Sequence, residues 1–223
     1  MDQIIEDLDD RKSELDEYLR LIEFLNASRS LSNDQGAELE VSSLLVKTTK
    51  GSVYLLLYNL VEATMRGAVV AIHDNISSSG ATFNDLRETL QSKILYRAKR
   101  DKISIKSIIS GTRGDLALNL HEATLNSKDL FSGNIDGGEI KKVAEVYGFS
   151  SNTHFPATGH GRHLSAVKQN RNDLAHGNKT FSVVGSGTTI EELRELSDEV
   201  ISYIYEISDN IVDSLESRTY LRP

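Results

Sequence analysis

Residues 53–76 read VYLLLYNLVEATMRGAVVAIHDNI, and this stretch carries the strongest structural signal in the chain. Its apolar residues recur at intervals of three and four, which places them on one broad face of an α-helix. The members of that face are Val53, Leu56, Leu57, Leu60, Val61, Thr64, Ala68 and Ala71. The breadth of this face predicts the core helix of the fold, beginning between Glu38 and Leu45 and extending at least to Ile76.

Amphipathic spacing and capping residues predict four further helices around this core helix. They are residues 1–26, a helix capped by Thr82 that bears Phe83, Leu86, Leu90 and Ile94, a helix from Leu164 that stops at Gly177, and a long last helix that begins with the capping box Thr189 and Glu192. Residues 185–188 are rich in Gly, Ser and Thr and are expected to form a turn before the last helix.

The middle of the chain, roughly residues 100–160, has weaker patterns. Asp136 precedes a short helix that ends near Gly148, and the glycines around it mark turns. We read this region as an irregular insertion in a single domain that covers residues 1–223. Two prolines and 39% hydrophobic residues favour an all-α protein with a substantial core.

The composition excludes several classes of chemistry. The chain has no cysteine, so disulfides, thiolate zinc sites and cysteine nucleophiles are ruled out. Its start is acidic, and no apolar run approaches the roughly 18 residues of a membrane span, so we expect a cytoplasmic protein without a membrane segment. A formal net charge of −8 argues against a general nucleic-acid coat protein but permits local basic patches.

Two such basic stretches stand out. Residues 97–106 contain Arg97, Lys99, Arg100, Lys102 and Lys106, and we expect them to form a solvated loop. The second stretch contains Arg162, Lys168, Arg171 and Lys179 together with four of the six histidines. Its histidines near residue 160 lack a nearby acid to complete a zinc site, so contact with RNA is the better interpretation there.

Arg171 occupies an unusual position in the second stretch. It shares one helical face with Leu164, Val167 and Leu174, where an apolar residue is expected. A charge in such a position needs a partner. One interpretation is an ion pair with a carboxylate at the edge of the core, and the other is a phosphate, which suits the planar donor fork of arginine.

His176 follows five residues later, about 140° around the helix from Arg171. The two side chains converge only if the last helical turn opens, or if two copies of the chain meet across a two-fold axis. A titratable histidine beside an arginine is sufficient to cleave RNA, because the 2′-hydroxyl acts as an internal nucleophile. The alternative is an ordinary surface histidine at a helix end.

The run RNDLAHGN at residues 171–178 resembles the R-x4-6-H motif of HEPN domains. Residues 54–64, YLLLYNLVEAT, are similar to the core helix of the MAE-type HEPN nucleases found in toxin–antitoxin and defence neighbourhoods. The similarity also covers residue 170 through the last helix. This resemblance implies an all-α HEPN-like helical bundle, frequent dimerisation and metal-independent ribonuclease activity where the motif is intact.

The resemblance implies catalytic roles for Arg171, Asn172 and His176, all of which match the motif. Glu62 lies on a polar stripe of the core helix with Asn59, Arg66 and His73. It is a candidate for orienting Arg171 or His176, and the alternative is an ordinary pair with Arg66 on the helix surface. We predict RNA contacts for the basic residues Arg162, His163, Lys168 and Lys179, and we expect neither a metal nor a cofactor.

The resulting hypothesis is a homodimeric, metal-independent endoribonuclease that acts as a toxin or defence effector. Its expected partners are RNA, a second copy of the chain, and a cognate antitoxin or defence-system protein. Two alternatives stay open. One is a non-catalytic HEPN module that binds a nucleotide or a protein, and the other is the neutralising member of a toxin–antitoxin pair.

Overall fold

The computed structural model describes residues 2–111, 116–123, 131 and 134–222. This part of the chain is helical apart from an antiparallel hairpin, β1 (Ser30–Ser32) and β2 (Glu38–Glu40), and two short 3-10 turns. The helices are α1 Asp2–Ala27, α2 Ser43–Ser79, α3 Glu88–Arg100, α4 Ile105–Gly111, α5 Leu116–Ala123, α6 Gly137–Tyr147, α7 Phe155–Thr158, α8 Leu164–Ala175, α9 Phe181–Ser186 and α10 Ile190–Ser217. The prediction of an all-α bundle is confirmed.

Helix α2 is the centre of the bundle, as predicted. It is 37 residues long and contacts α1, α5, α8, α9 and α10. The side chain of Ser42 caps its first turn by accepting a hydrogen bond of 3.1 Å from the Leu45 amide, and Gly80 ends it with a left-handed φ of 71°. Residues 38–40 lie outside the helix because they pair with β1 instead.

Among the described helices, α2 is long and apolar enough by composition to cross a membrane, with a mean hydropathy of 1.4 over its most apolar 18 residues. Half of those residues are buried inside the protein. Polar residues such as Asn59 and Glu62 interrupt this segment, which is why it contains no long uninterrupted apolar run. Because α2 packs against five neighbouring helices, its apolar composition is that of a core helix.

The two other long helices, α1 and α10, pack against α2 and against each other. Helix α1 buries Leu8, Leu15, Leu19, Ile22 and Leu25 and leaves its acidic face exposed. The predicted capping box of α10 is confirmed: the Thr189 amide donates to Glu192 Oε2 at 2.8 Å, and the Glu192 amide donates to Thr189 Oγ1 at 3.1 Å.

The predicted start of the third helix is wrong. Thr82 and Asp85 do form a capping box, but it begins only the 3-10 turn Phe83–Asp85, and α3 starts at Glu88. Between the two elements the chain is extended because Leu86 forms an antiparallel bridge with Leu221. A pairing with the far end of the chain therefore interrupts a helical pattern.

Helix α6 lies in the middle region and contributes to the main hydrophobic cluster. Asp136 caps it by accepting a hydrogen bond of 2.9 Å from the Glu139 amide, and Gly148 ends it with a φ of 92°. The buried side chains of this segment are Ile135, Ile140, Val143, Ala144, Tyr147 and Phe149. The remaining positions of the middle region, 112–115, 124–130 and 132–133, lie outside the described residues.

Residues 185–188 do not form a simple turn, since Gly185 belongs to helix α9. This glycine is buried where α9 crosses α2, and a Cβ atom added to it would lie 1.9 Å from the Lys47 carbonyl oxygen. A Cβ atom added to Gly51 on α2 would lie 2.2 Å from the Phe181 carbonyl oxygen. Both glycines are therefore required by a close approach of two helix backbones.

We expect Gly185→Ala to destabilise the protein by about 1–3 kcal/mol, because the methyl group forces the two backbones apart. Gly187→Ala is the matched control, since its Cβ would meet the nearest atom, the Val184 carbonyl oxygen, at an ordinary 3.6 Å. Helix propensity alone predicts the opposite sign at position 185, because alanine is the better helix former. Thermal unfolding of both variants decides this, and an unchanged Tm for Gly185→Ala would contradict the packing account.

Candidate active site at the end of helix 8

The Arg171–His176 motif lies at the C-terminal end of α8. The His176 amide donates to the Asn172 carbonyl oxygen at 3.0 Å, so the last turn stays helical through His176. The Gly177 amide donates to the Leu174 oxygen and the Asn178 amide to the Asp173 oxygen, with a φ of 70° at Gly177. These bonds form a Schellman ending, and the helix stops where the sequence predicted.

This closed ending removes one of the two ways in which Arg171 and His176 might converge. With the last turn intact, the two positions are about 140° apart around the axis and about 7.5 Å apart along it. The side chain of His176 is exposed. Within one chain the two motif positions therefore lie on different sides of the helix.

Arg171 lies over the ring of Tyr58 from α2. Its guanidinium carbon is 4.4 Å from the ring centroid, a cation–π geometry. One guanidinium nitrogen, Nη1, donates to the Asn172 side-chain oxygen at 2.9 Å. Among the residues that the structure describes, Arg171 has no carboxylate partner, so the ion-pair interpretation is not supported. The arginine is held by an aromatic face and an amide, and its charge is not neutralised by either.

Tyr58 is a site residue that sequence reasoning missed. Its side chain is fully buried, and its hydroxyl oxygen accepts a hydrogen bond of 3.2 Å from the Ile135 amide. Burial, together with the nearby Glu62 carboxylate, raises the pKa of Tyr58 to about 12. The phenol is therefore neutral at physiological pH. The sequence feature that could have indicated Tyr58 is its position one helical turn before the candidate residue Glu62.

Glu62 is bonded to Arg66 one turn further along α2, which was the alternative interpretation of this polar stripe. Its carboxylate also acts on the Tyr58 hydroxyl and contributes to the raised pKa of that group. The described contacts include no hydrogen bond from Glu62 to Arg171 or His176. An orienting role for Glu62 stays a prediction, and the pair with Arg66 is the contact that the structure shows.

The four residues predicted to contact RNA all contact carboxylates within the chain. Arg162 and His163 both bind Glu199 of α10, at 3.0 and 3.1 Å. Lys168 pairs with Asp136, and Lys179 pairs with Asp173 at 2.7 Å. Partly exposed pairs of this kind contribute little to stability.

These four residues do not form one cluster. His163 precedes Arg171 by eight positions and lies about 12 Å away along α8, at the other end of the helix. Lys168 and Lys179 come closer to the motif, since Lys168 is one turn before Arg171 and the partner of Lys179 is Asp173 within the motif. The structure thus separates a flanking pair of lysines from a distant pair at the N-terminal end of α8.

The family of the chain follows from comparison with known proteins. A sequence profile of the MAE-like HEPN family matches residues 1–220. The chain belongs to the HEPN superfamily. This match includes the middle region, where residue patterns alone indicated no resemblance. HEPN domains are in general nucleases or nucleotide-binding modules, and as a family they are associated with RNA and with dimerisation. No curated protein and no solved structure matches the chain.

The two other histidines of the second basic stretch, His154 and His160, make contacts within the chain. His160 Nδ1 lies 3.1 Å from the Thr153 hydroxyl, and the His154 amide donates to Glu206 at 2.6 Å. Within the described ranges, no three His, Asp or Glu side chains are grouped so that they can hold a metal ion. Arg171, Asn172 and His176 are the residues of this chain that match the HEPN motif.

Proposed function

We propose that this HEPN protein is a metal-independent endoribonuclease whose active site is shared by two copies of the chain. The observation that carries the proposal is the set of contacts that Arg171 makes. Its guanidinium lies on the Tyr58 ring without a carboxylate partner in the described part of the chain, five residues before an exposed histidine. A cation held in this way at a protein surface is suited to bind a phosphate.

The reaction follows from the chemistry of RNA. The 2′-hydroxyl attacks the adjacent phosphorus atom, and the bond to the 5′-oxygen of the next nucleotide breaks. His176 takes the proton from the 2′-hydroxyl or delivers one to the departing oxygen, depending on its protonation state. Arg171 binds the non-bridging oxygens, where negative charge grows in the transition state. The products are a 2′,3′-cyclic phosphate and a 5′-hydroxyl.

Asn172 and Tyr58 position the arginine. The Asn172 side chain accepts a hydrogen bond from Nη1, and the Tyr58 ring supports the guanidinium plane. The other nitrogens of the fork make no hydrogen bond or ion pair with a described residue. Lys168 and Lys179 flank the motif and are placed to guide the RNA backbone, in exchange for their present carboxylate partners.

Two copies of the chain complete the site in this proposal. The intact last turn of α8 keeps Arg171 and His176 apart in one chain, so each cleft combines the arginine of one protomer with the histidine of its partner. We further propose a cytoplasmic toxin or defence role, with an antitoxin or defence-system protein as partner. The resemblance to MAE-type HEPN nucleases supports this role.

A non-catalytic HEPN module that binds a nucleotide or a protein is the second candidate. It is favoured by the exposed ring of His176, which has no hydrogen bond to an orienting group among the described residues. Catalytic histidines usually have such a partner. A site that is completed only in the dimer accounts for this feature equally well.

We expect the protein to cleave single-stranded RNA in excess EDTA, because the substrate supplies the nucleophile and His176 transfers the protons. The product ends should carry 2′,3′-cyclic phosphates, which are resolved by mass spectrometry. DNA of the same sequence is the control and should stay intact, since it lacks the 2′-hydroxyl. Cleavage that disappears with chelation and returns with a divalent cation would overturn the mechanism.

Substitutions at Tyr58 test the support beneath Arg171. Tyr58→Phe keeps the aromatic face, and we expect it to keep most of the activity even though the loss of its hydroxyl leaves the Ile135 amide unpaired and lowers stability. Tyr58→Leu removes the cation–π contact of about 0.5–2 kcal/mol, and we expect cleavage to fall by about 2- to 30-fold. Rates are compared at a temperature where circular dichroism shows both variants folded. Equal rates for the two variants would contradict this role of Tyr58.

A further inference from the structure

Arg97 is buried, although the sequence predicted that the basic stretch beginning there is a solvated loop. It lies in the last turn of α3, and only 5% of its surface is exposed. Its Nη2 donates to the Tyr147 hydroxyl at 3.1 Å, while its Nη1 is buried without a hydrogen-bond partner. A buried cation without a counter-ion is costly, which raises the question of what balances it.

Arg97 lines a cavity of about 250 Å³ between α2, α3 and α6. One wall is apolar and includes Val69 of α2 and Val143 of α6. The charged lining residues are Lys93, Arg97, Lys142 and Glu139. Small-molecule sites commonly combine these two features, an apolar wall and a few charged groups that converge on one end.

The charges that the described residues place around this cavity do not balance. Among them Glu139 is the one carboxylate in the lining, and it already lies 3.3 Å from Lys142 in an ion pair. Lys93 and Arg97 make no ion pair with a described residue. Burial and the neighbouring Arg97 lower the pKa of Lys93, as expected for two cations that face the same space.

The other polar groups next to Arg97 do not supply a negative charge. Burial, the Arg97 charge and His121 lower the pKa of His73 to about 3, so this histidine is neutral at physiological pH. The Tyr147 hydroxyl lies 2.9 Å from His73 Nε2, and burial raises its pKa, so it is neutral as well. The described surroundings of Arg97 thus contain no anion that neutralises it.

We infer that this cavity binds a small organic anion, a carboxylate or phosphate monoester attached to an apolar body. The planar fork of Arg97, assisted by Lys93, binds the anionic group, since a guanidinium pairs with carboxylates and phosphates in a bidentate geometry. The wall with Val69 and Val143 surrounds the apolar body. This site is separate from the Arg171 motif, and the inference does not depend on the proposed nuclease activity.

Thermal unfolding with simple probes tests the site. We expect benzoate or phenyl phosphate to raise the Tm of the full chain by about 5–10 °C at roughly a hundred times its Kd. Comparing these two probes decides between a carboxylate and a phosphate. Benzyl alcohol lacks the charge and inorganic phosphate lacks the apolar body, so each should give a much smaller shift.

Three variants test whether the rise in Tm comes from a probe bound in this cavity. Arg97→Met should abolish it without lowering the Tm of the free protein, because an uncompensated buried charge is removed. Val143→Phe fills the cavity, keeps Arg97 and should also abolish the shift, so the test stands even if Arg97→Met fails to fold. Lys99→Met removes an exposed cation from the same helix and should leave the shift unchanged.

Several results would overturn the inference. The absence of a shift with both organic anions would remove the site. An equal shift in Val143→Phe or in a folded Arg97→Met would place binding elsewhere. A shift as large with benzyl alcohol would exclude a role for the cations, and one as large with inorganic phosphate would exclude an apolar ligand body.

Discussion

Replacement of His176 or Arg171 by alanine is expected to lower RNA cleavage by about 10²–10⁴-fold while leaving helicity and dimer mass unchanged. His176 supplies the proton transfer, and Arg171 stabilises the charge that develops on the phosphate. His176 is exposed and contributes little to folding, and Arg171 has no ion pair in the described part of the chain, so its removal costs at most the cation–π contact of about 0.5–2 kcal/mol with Tyr58. Rates from labelled RNA, together with circular dichroism and light scattering, separate catalysis from folding.

Arg171→Lys is the more informative variant at this position, because it separates the charge of the side chain from its planar shape. Lysine keeps the charge but lacks the planar fork, so we expect it to recover little of the lost activity if the phosphate is bound through two nitrogens. Arg11→Ala, which removes an exposed arginine from α1, is the control and should cleave like the wild type. A lysine variant with nearly normal rates would mean that the arginine acts only as a point charge. Normal cleavage by His176→Ala would favour the binding-module alternative.

A one-to-one mixture of Arg171→Ala and His176→Ala chains is expected to recover activity that neither variant has alone. If each cleft combines the arginine of one protomer with the histidine of its partner, a mixed dimer contains one intact cleft and one that lacks both residues. Half of the dimers are mixed at random exchange, so the mixture should reach about a quarter of the wild-type rate. Co-expression of the two chains with different tags allows the mixed dimer to be purified and measured directly.

The same mixture distinguishes a shared site from a site within one chain. If both motif residues acted in cis, every cleft of a mixed dimer would lack one of them, and no activity would return. Light scattering supplies the independent measurement, with an expected mass of about twice the 24.7 kDa of one chain. A monomer that still cleaves RNA would exclude the shared site but would not remove the nuclease assignment.

The helical architecture was predictable from sequence because its determinants are local. The core position of α2 follows from apolar residues within a few turns of one another. The ends of α6, α8 and α10 follow from Asp136, Gly177 and the pair Thr189 and Glu192. Each of these residues bonds to a backbone group within about five positions, so the sequence pattern alone determines the result.

The tertiary structure decided everything that depends on residues distant along the chain. The sequence marked Arg171 as an unusual charge, but only the packing of α8 on α2 shows that its neighbour is the Tyr58 ring and that no described carboxylate pairs with it. Leu86 leaves a helical pattern because it meets Leu221, and Gly185 is a helix contact because α9 crosses α2. The sequence pattern predicts a surface position for Arg97, whereas in the structure Tyr147 of α6 packs against it. Local spacing determines which backbone groups bond and which face is apolar, whereas the counter-ion of a charge depends on the long-range contacts of the folded chain.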